Sequence, residues 1–235
     1  MRASRRVVRR RAAETLAAIA TPDDIPALAE GLDDRDDLVK ATCALVLAEV
    51  GGPEVTAAVV ATVMRIMTRR PGAAAAVVLA IGMRHSPALG DLLGPDVPAP
   101  VRATAIAVAG QLRLAEHAPA LAACLGDRDD VATSAAYGLG RIGEVQAVPE
   151  LARLAMAAGR ALPARVAAVK ALGAIGDPAA VDVVRRQLSA AEWPIAAAAA
   201  WALARLGKAG LAVLREAATS RSTQVAELAG AALGQ

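Results

Sequence analysis

Two short acidic clusters carry the oxygen ligands that calcium prefers. Asp34–Asp37 read Asp-Arg-Asp-Asp, and Asp127–Asp130 repeat that order. A calcium loop of the EF-hand kind also needs a central Gly and a closing Glu at fixed places, and neither cluster supplies them. Asp at a helix start accepts hydrogen bonds from free backbone N–H groups and meets the positive end of the helix dipole. We therefore interpret both clusters as helix starts and expect no metal site.

The residues that most often perform catalysis are scarce. The only histidines are His85 and His117, both near turns between apolar stretches. The sequence contains no His-Glu-x-x-His zinc motif, no Gly-x-Ser-x-Gly motif and no phosphate-binding Gly-x-x-x-x-Gly-Lys motif. Cys43 and Cys124 lie far apart in apolar stretches, which indicates buried free thiols in a reducing compartment. The sequence thus predicts a protein without enzymatic activity and without a cofactor.

The few aromatic residues recur together with cations. The chain has one Tyr, two Trp and no Phe. Tyr137 precedes Arg141 by four residues, as Trp201 precedes Arg205, and Lys170 lies between the two pairs. Tyr, Trp and Arg most often dominate the binding energy of protein interfaces. Two interpretations stay open at this point, since the rings either bind a partner or fill gaps between helices.

A repeating unit must position these residues. The stretch Tyr137–Leu154, YGLGRIGEVQAVPELARL, is echoed further along the chain by Lys170–Leu188, KALGAIGDPAAVDVVRRQL. Such an echo at a period of about 30 residues is typical of a solenoid of stacked supersecondary units. The large apolar residue near the end of each unit recurs at this period, at Leu16, Leu47, Leu79, Ala109, Leu139, Leu172, Leu203 and Leu233.

Each unit is predicted to hold two helices. The second helix is clearest in Val101–Leu112 and Val131–Ile142, and a Gly or Pro then ends it, as helix punctuation requires. The first helix of the next unit follows, as in Ala147–Leu154 and Ala179–Leu188. A core built from Ala, Val and Leu without Phe requires backbones to approach closely. The sequence therefore predicts an all-α fold, an α-solenoid of about seven to eight stacked helix pairs.

The phrase ALGAIGDPAAVDVVRRQL, together with LGDRDDV, resembles a HEAT repeat, and it is most similar to the short bacterial subtype that also occurs in phycobilin lyases. The resemblance covers residues 8–235 as a single array, which begins within an Arg-rich N-terminal stretch, residues 1–11. The unit Pro71–Leu93 departs most, so the helix register over residues 71–100 is the least defined. The resemblance implies an armadillo-type superhelix that acts as an adaptor or scaffold.

The resemblance also implies which face binds, because second helices line the concave side of HEAT solenoids. Residues four apart point the same way from a helix, so the seventh and eleventh places of each second helix form a column. We predict that its back half, Tyr137, Arg141, Lys170, Trp201 and Arg205, binds a partner protein. Trp193, before Pro194, is interpreted as a packing plug. The column reads Glu14 and Ala18, Leu45 and Glu49, Val77 and Ile81, Ala107 and Gln111, Tyr137 and Arg141, Lys170 and Ala174, and Trp201 and Arg205.

The positive charge is concentrated at the N terminus. The formal net charge is +3, but without the six arginines that precede Glu14, 20 basic and 23 acidic residues remain. A net acidic body disfavours binding to nucleic acid. The arginines are either a solvated helix start or a contact with an anionic membrane, near which each cation contributes about 1 kcal/mol. The residues concerned are Arg5, Arg6, Arg9, Arg10 and Arg11.

Three functions are compatible with these features. We favour a non-catalytic protein-binding scaffold. The first alternative is a phycobilin lyase-like enzyme or chromophore carrier, and the second is a nucleic-acid-binding protein similar to the HEAT-like DNA glycosylases. The Arg and Ala bias indicates a bacterial source. We expect a cytoplasmic location, because the longest uncharged run, Pro71–Met83, is too short to span a bilayer. The alternative is a cytoplasmic protein in peripheral contact with a membrane.

Overall fold

The protein is built from helices joined by short turns. The computed structural model describes residues 2–19, 24–32, 34–50, 59–61, 63–65, 67–68, 71–84 and 86–234. These residues contain no strand, and their helices follow one another along the chain in an alternation of first and second helices. The predicted all-α solenoid is therefore confirmed. None of the described helices is both long and apolar enough to cross a bilayer.

The first compact unit comprises Met1–Leu112. Its second helices are α1, α3, α4 and α6, and each packs against the next. The short helices α2 and α5 cover α3 and α4, respectively. The bounds are α1 Arg2–Ile19, α2 Ile25–Gly31, α3 Asp37–Val50, α4 Pro71–Arg84, α5 Ser86–Asp91 and α6 Ala99–Leu112, and helical residues also occur within 59–68.

The second compact unit comprises Arg113–Gln235. The second helices α8, α10, α12 and α14 form one layer, in which each packs against the next. The first helices α9, α11 and α13 form the other layer, and α7 packs on α8. The bounds are α7 Ala118–Ala123, α8 Asp129–Ile142, α9 Val148–Met156, α10 Leu162–Ile175, α11 Val181–Leu188, α12 Trp193–Arg205, α13 Gly207–Ala217 and α14 Thr223–Leu233.

Left-handed glycines end the second helices α8 and α10, as the sequence predicts. Gly143 has φ 85° and Gly176 has φ 79°, a region in which a side chain is strained. The next residue then starts the turn toward the first helix. Glu144 accepts a hydrogen bond from the backbone N–H of Gln146 at 3.0 Å, which satisfies a donor at the start of a short 3-10 segment. The phrase that repeats in the sequence therefore corresponds to a turn that repeats in the structure.

Small residues bring the second helices of this unit into close contact. A Cβ atom placed on Gly140 would lie 2.9 Å from the Cα of Ala171, and one placed on Gly173 would lie 2.5 Å from the Cα of Ala202. Neither approach leaves room for a side chain. The large residues Leu139 and Leu172 are fully buried beside these contacts. The core of each repeat is therefore thin, and it is closed by the next repeat.

The predicted register of the third repeat is wrong by two residues. Val77 and Ile81 were expected on the exposed column, but their side chains are buried. Met83 is 69% exposed, and Leu79 is half-buried, so these two residues occupy the column places. The Ala run in α4 gives no large residue to mark the face. The register of α4 is set instead by Val77, Val78 and Ile81, whose side chains fill the core.

We expect Gly173→Ala to lower the free energy of unfolding by about 1 to 3 kcal/mol, because the added methyl group overpacks the contact with Ala202. Gly230→Ala in α14 is the matched control, since a Cβ there would have no atom within 4 Å. Its expected effect is a gain of up to about 1 kcal/mol from helix propensity. Urea unfolding followed by circular dichroism measures both. Equal effects of the two substitutions would contradict the close-contact interpretation.

Arg113 follows α6 at the place where Gly143 and Gly176 follow their helices, and it has φ 55°. A non-glycine residue in this region costs about 1 kcal/mol. We therefore expect Arg113→Gly to raise the free energy of unfolding by up to about 1 kcal/mol, and Gly143→Ala to lower it by a similar amount. Arg113→Ala separates the backbone effect from loss of the side chain, and it should give no gain. Thermal unfolding of the three variants checks these signs.

Candidate protein-binding surface

The residues predicted to bind a partner lie on the exposed side of three stacked helices. Helix α8 positions Tyr137 and Arg141, α10 positions Lys170, and α12 positions Trp201 and Arg205. All five side chains are exposed, Tyr137 by 44% and Trp201 by 37%. The residues on either side of Tyr137, Lys170 and Trp201 are buried, so the repeat pattern turns the same place outward in α8, α10 and α12. We call these five residues the second-helix face.

Trp201 is held in place on this face from two sides. A Cβ atom on Gly173 of the preceding repeat would lie 3.2 Å from Cζ3 of Trp201, so the ring rests against that glycine. The guanidinium carbon of Arg205 lies 4.9 Å from the ring centroid. Such a cation–π contact contributes about 0.5 to 1 kcal/mol at an exposed site. Trp201 therefore both packs between helices and presents an ordered, partly exposed ring.

Two further apolar residues extend this region. Trp193 was expected to be a packing plug, and this is wrong, because its side chain is 61% exposed at the first residue of α12. The buried places of that turn are taken by Ile195 and Ala196. Leu162 has the same place in α10 and is also exposed. The sequence carries a signal for this shared place, because each residue directly precedes a Pro and the two lie one repeat period apart.

Part of the Arg-rich stretch is engaged within the protein. Arg10 donates from Nε and Nη2 to the two carboxylate oxygens of Asp36, at 3.0 and 3.2 Å. Arg9 donates to Asp34 at 2.7 Å. These ion pairs fix α1 to the turn before α3. Arg11 is exposed, and the side chains of Arg5 and Arg6 lie outside the described part of the structure, so membrane contact by this stretch stays a prediction.

The first acidic cluster caps a helix as predicted. Asp36 accepts a hydrogen bond from the backbone N–H of Leu38 at 3.0 Å, at the start of α3. In the second cluster, Asp130 accepts a hydrogen bond from the backbone N–H of Val131 at 3.0 Å. However, the residue that directly precedes α8 is Arg128, whose side chain makes no capping hydrogen bond. The helix-start interpretation therefore holds for Asp36 and only in part for the second cluster.

Asp129 in the second cluster joins two repeats. It accepts a hydrogen bond from Nε of Arg160 and another from the backbone N–H of Ala161 at 3.1 Å. Arg160 also donates to the carbonyl of Asp127 at 2.6 Å. The hydrogen bonds from Arg160 and Ala161 lower the pKa of Asp129. Directly before α12, two repeats later, the hydrogen bond from Arg165 lowers the pKa of Glu192. Both carboxylates therefore stay ionised and neutralised by arginine.

Three of the four residues considered for catalysis are buried. Cys43 and Cys124 are buried free thiols, as predicted. Burial, with a smaller contribution from the Asp34 carboxylate, raises the pKa of Cys43, which makes its thiol a poor nucleophile. His117 is buried in the 3-10 segment Ala115–His117 between two helices, and His85 lies outside the described residues.

Helix pairs stacked in two layers, with each second helix packed on the next, define an α-solenoid. The profile of the HEAT repeats family matches residues 1–77 and 160–234, and that of the PBS lyase HEAT-like repeat matches residues 131–155. The chain belongs to the HEAT-repeat family. Curated protein sequences provide no significant match.

Solved structures with a similar fold share little sequence with this chain. The complex of CpcE and CpcF of phycocyanin lyase from Nostoc sp. PCC7120 matches with 20% identity and a TM-score of 0.50, over 78% of this chain and 76% of that chain. A designed armadillo repeat protein matches with 18% identity and a TM-score of 0.48, over 89% of this chain and 98% of that chain. At these identities the similarity concerns the fold.

The lowered pKa of Asp129 predicts how its contribution to stability depends on pH. A carboxyl group whose pKa is lower in the folded state stabilises the protein above its unfolded pKa, and this contribution is lost as the pH falls through the folded value. We therefore expect Asp129→Asn to destabilise the protein at neutral pH and the difference from wild type to shrink below about pH 4. Thermal unfolding between about pH 3 and 7 measures it. Asp182→Asn, which removes an exposed acid of α11 within one helix, is the control for the loss of one surface carboxylate.

Proposed function

We propose that this protein is a non-catalytic scaffold or adaptor that binds another protein through the second-helix face. The observation that carries the proposal is the equivalent placement of exposed aromatic and cationic side chains on three consecutive second helices. Tyr137, Lys170 and Trp201 occupy one row across α8, α10 and α12. Arg141 and Arg205 occupy the row one turn further along. A partner lying across the helices would meet all five residues at once.

The packing of the two layers supports the use of this side. The second helices of the unit contact each other much more extensively than the first helices do, because of the small residues at Gly140 and Gly173. In a two-layer stack, the layer with the closer spacing lies on the inside of the curve. We infer that the second-helix face lies on the concave side of this unit. A concave side surrounds a partner and removes more of its surface from water.

The state of the side chains also favours binding. Trp201 is already held between Gly173 and Arg205, so little conformational freedom remains to be lost when a partner binds. Stacking of Arg205 on the ring occupies the flat side of the guanidinium group and leaves its N–H donors at the edge. Ordered aromatic and Arg side chains of this kind are the usual energetic centres of interfaces.

A second candidate function is a phycobilin lyase-like enzyme or chromophore carrier. The match of residues 131–155 to the PBS lyase HEAT-like repeat favours it. This candidate requires that bilins bind to the protein, which would change their visible absorption. Titration of a free bilin with the protein tests it, and an unchanged spectrum up to millimolar protein would remove this candidate.

A cytoplasmic location fits the proposed function. Cys43 and Cys124 remain free thiols in the interior, which suits a reducing compartment. Contact of Arg11 and the preceding arginines with an anionic membrane is compatible with this location, because such a contact is peripheral.

We expect Trp201→Ala to weaken partner binding by about tenfold or more, because it removes an ordered aromatic anchor. The partner is first identified by photo-crosslinking in the source organism, with p-benzoylphenylalanine in place of Tyr137 or Trp201. Binding of that partner to wild type and variant is then compared by calorimetry. Circular dichroism should show the same helix content for both proteins.

The control position is Val145, which is exposed in a turn away from the second-helix face. The photo-crosslinker at 145 should not capture the partner, and Val145→Ala should leave its affinity within about twofold of wild type. Capture from all three positions alike, or an unchanged affinity of Trp201→Ala, would reject the proposed face.

A further inference from the structure

The exposed side of α10 and α12 has an apolar end. Leu162 and Trp193 are the first residues of these two neighbouring helices, and both are exposed. One turn later, Val166 and Ala197 are half-buried. Because residues four apart lie along one side of a helix, these side chains form a continuous apolar strip that leads toward Trp201.

The opposite end of the same side is cationic. Lys170 of α10 and Arg205 of α12 are exposed, and neither is paired with an acidic residue within the described part of the chain. Arg205 lies about 18 Å from Trp193 along the helix axis, and Lys170 about 12 Å from Leu162, at 1.5 Å per residue. The two helices therefore present apolar contacts at one end and two cations at the other.

No acidic side chain interrupts this strip. The places four apart along α10 hold Leu162, Val166, Lys170 and Ala174, and those along α12 hold Trp193, Ala197, Trp201 and Arg205. The acid that precedes Trp193 in the sequence, Glu192, accepts a hydrogen bond from Arg165 at 2.7 Å. Lys170 and Arg205 are therefore the charged residues of the strip itself. The exposed acid on the next second helix, Glu227 of α14, has the place of Val166 and Ala197, one turn before the place of Lys170 and two turns before that of Arg205.

We propose that the strip formed by Leu162, Trp193, Lys170 and Arg205 binds an acidic protein segment that also carries apolar side chains. Its apolar residues pack on Leu162 and Trp193, and its carboxylates meet Lys170 and Arg205. The inference rests on the proposed function and names the chemical class of the partner. Charge complementarity selects an acidic rather than a basic segment.

The dimensions of the strip set the size of that segment. It is about 18 Å long and one interhelical spacing wide, about 8 to 10 Å. An extended chain of about six residues, at about 3.3 Å each, covers this length. Two unpaired cations are few for a nucleic-acid backbone, since such interfaces commonly neutralise six or more phosphates. The exposed rings and aliphatic side chains suit a protein segment better.

The test uses the full-length protein and fluorescein-labelled polymers in fluorescence anisotropy. The probes are a random copolymer of glutamate and tyrosine, poly-glutamate, a copolymer of lysine and tyrosine, and single-stranded DNA. We expect wild type to bind the glutamate–tyrosine copolymer about tenfold more tightly than poly-glutamate or DNA, and to show no binding of the lysine–tyrosine copolymer. Trp193→Ala should remove the preference for the tyrosine-containing acidic probe.

Charge reversal with a matched control isolates the cations. Lys170→Glu with Arg205→Glu should reduce binding of the glutamate–tyrosine copolymer by at least about tenfold. Arg185→Glu with Arg186→Glu changes the net charge equally on the first helix α11, and it should leave binding within about twofold. If the first double variant loses helix content, Lys170→Gln with Arg205→Gln replaces it.

Each contrary outcome has a distinct meaning. Trp193-dependent binding of the lysine–tyrosine copolymer would overturn the acidic partner class and leave the proposed function standing. DNA binding as tight as that of the glutamate–tyrosine copolymer, lost in the same charge-reversed variant, would assign the strip to nucleic acid. Equal loss of binding in the two double variants would show a nonspecific charge effect and overturn the inference. The crosslinks from positions 137 and 201 decide the proposed function separately.

Discussion

Close approach between successive second helices is the constraint on which the rest of this structure depends. At Gly140 and Gly173 the next helix lies so near that a single Cβ would meet its backbone at Ala171 or Ala202. Each repeat has little apolar volume of its own, because it is built from Ala, Val and Leu, and its core is complete only when the neighbour covers it. The spacing of the helices follows from these contacts, and the spacing determines how the outward side chains are arranged.

Electrostatic contacts reinforce this stacking at the edges. Arg10 with Asp36, and Arg160 with Asp129, each connect a helix or turn of one repeat to the acidic turn of its neighbour. The two acidic turns have the same sequence, but Arg10 precedes its acid in the chain and Arg160 follows its acid. Their role is local rigidity, because each carboxylate is already satisfied by arginine and backbone N–H groups. Lys170 and Arg205, by contrast, have no acidic partner in the described structure.

The binding surface arises from the same repetition. A place that is exposed in one second helix is exposed in the next, so side chains one repeat period apart in sequence come to lie in rows. These outward places hold different residue types from one helix to the next. In this chain they hold Tyr137, Lys170 and Trp201 in one row. The fold therefore supplies a regular support, and the residues on it determine the partner.

The sequence by itself determined the fold class, the repeat period, the helix-ending glycines and the outward direction of Tyr137 and Trp201, because these depend on spacing and on the conformational preferences of Gly and Pro. It did not determine the register of α4, since alanines mark neither the buried nor the exposed face. It also did not show that Trp193 is exposed or that Asp129 binds Arg160. Those outcomes depend on contacts between residues of different helices and turns, which only the tertiary structure brings together.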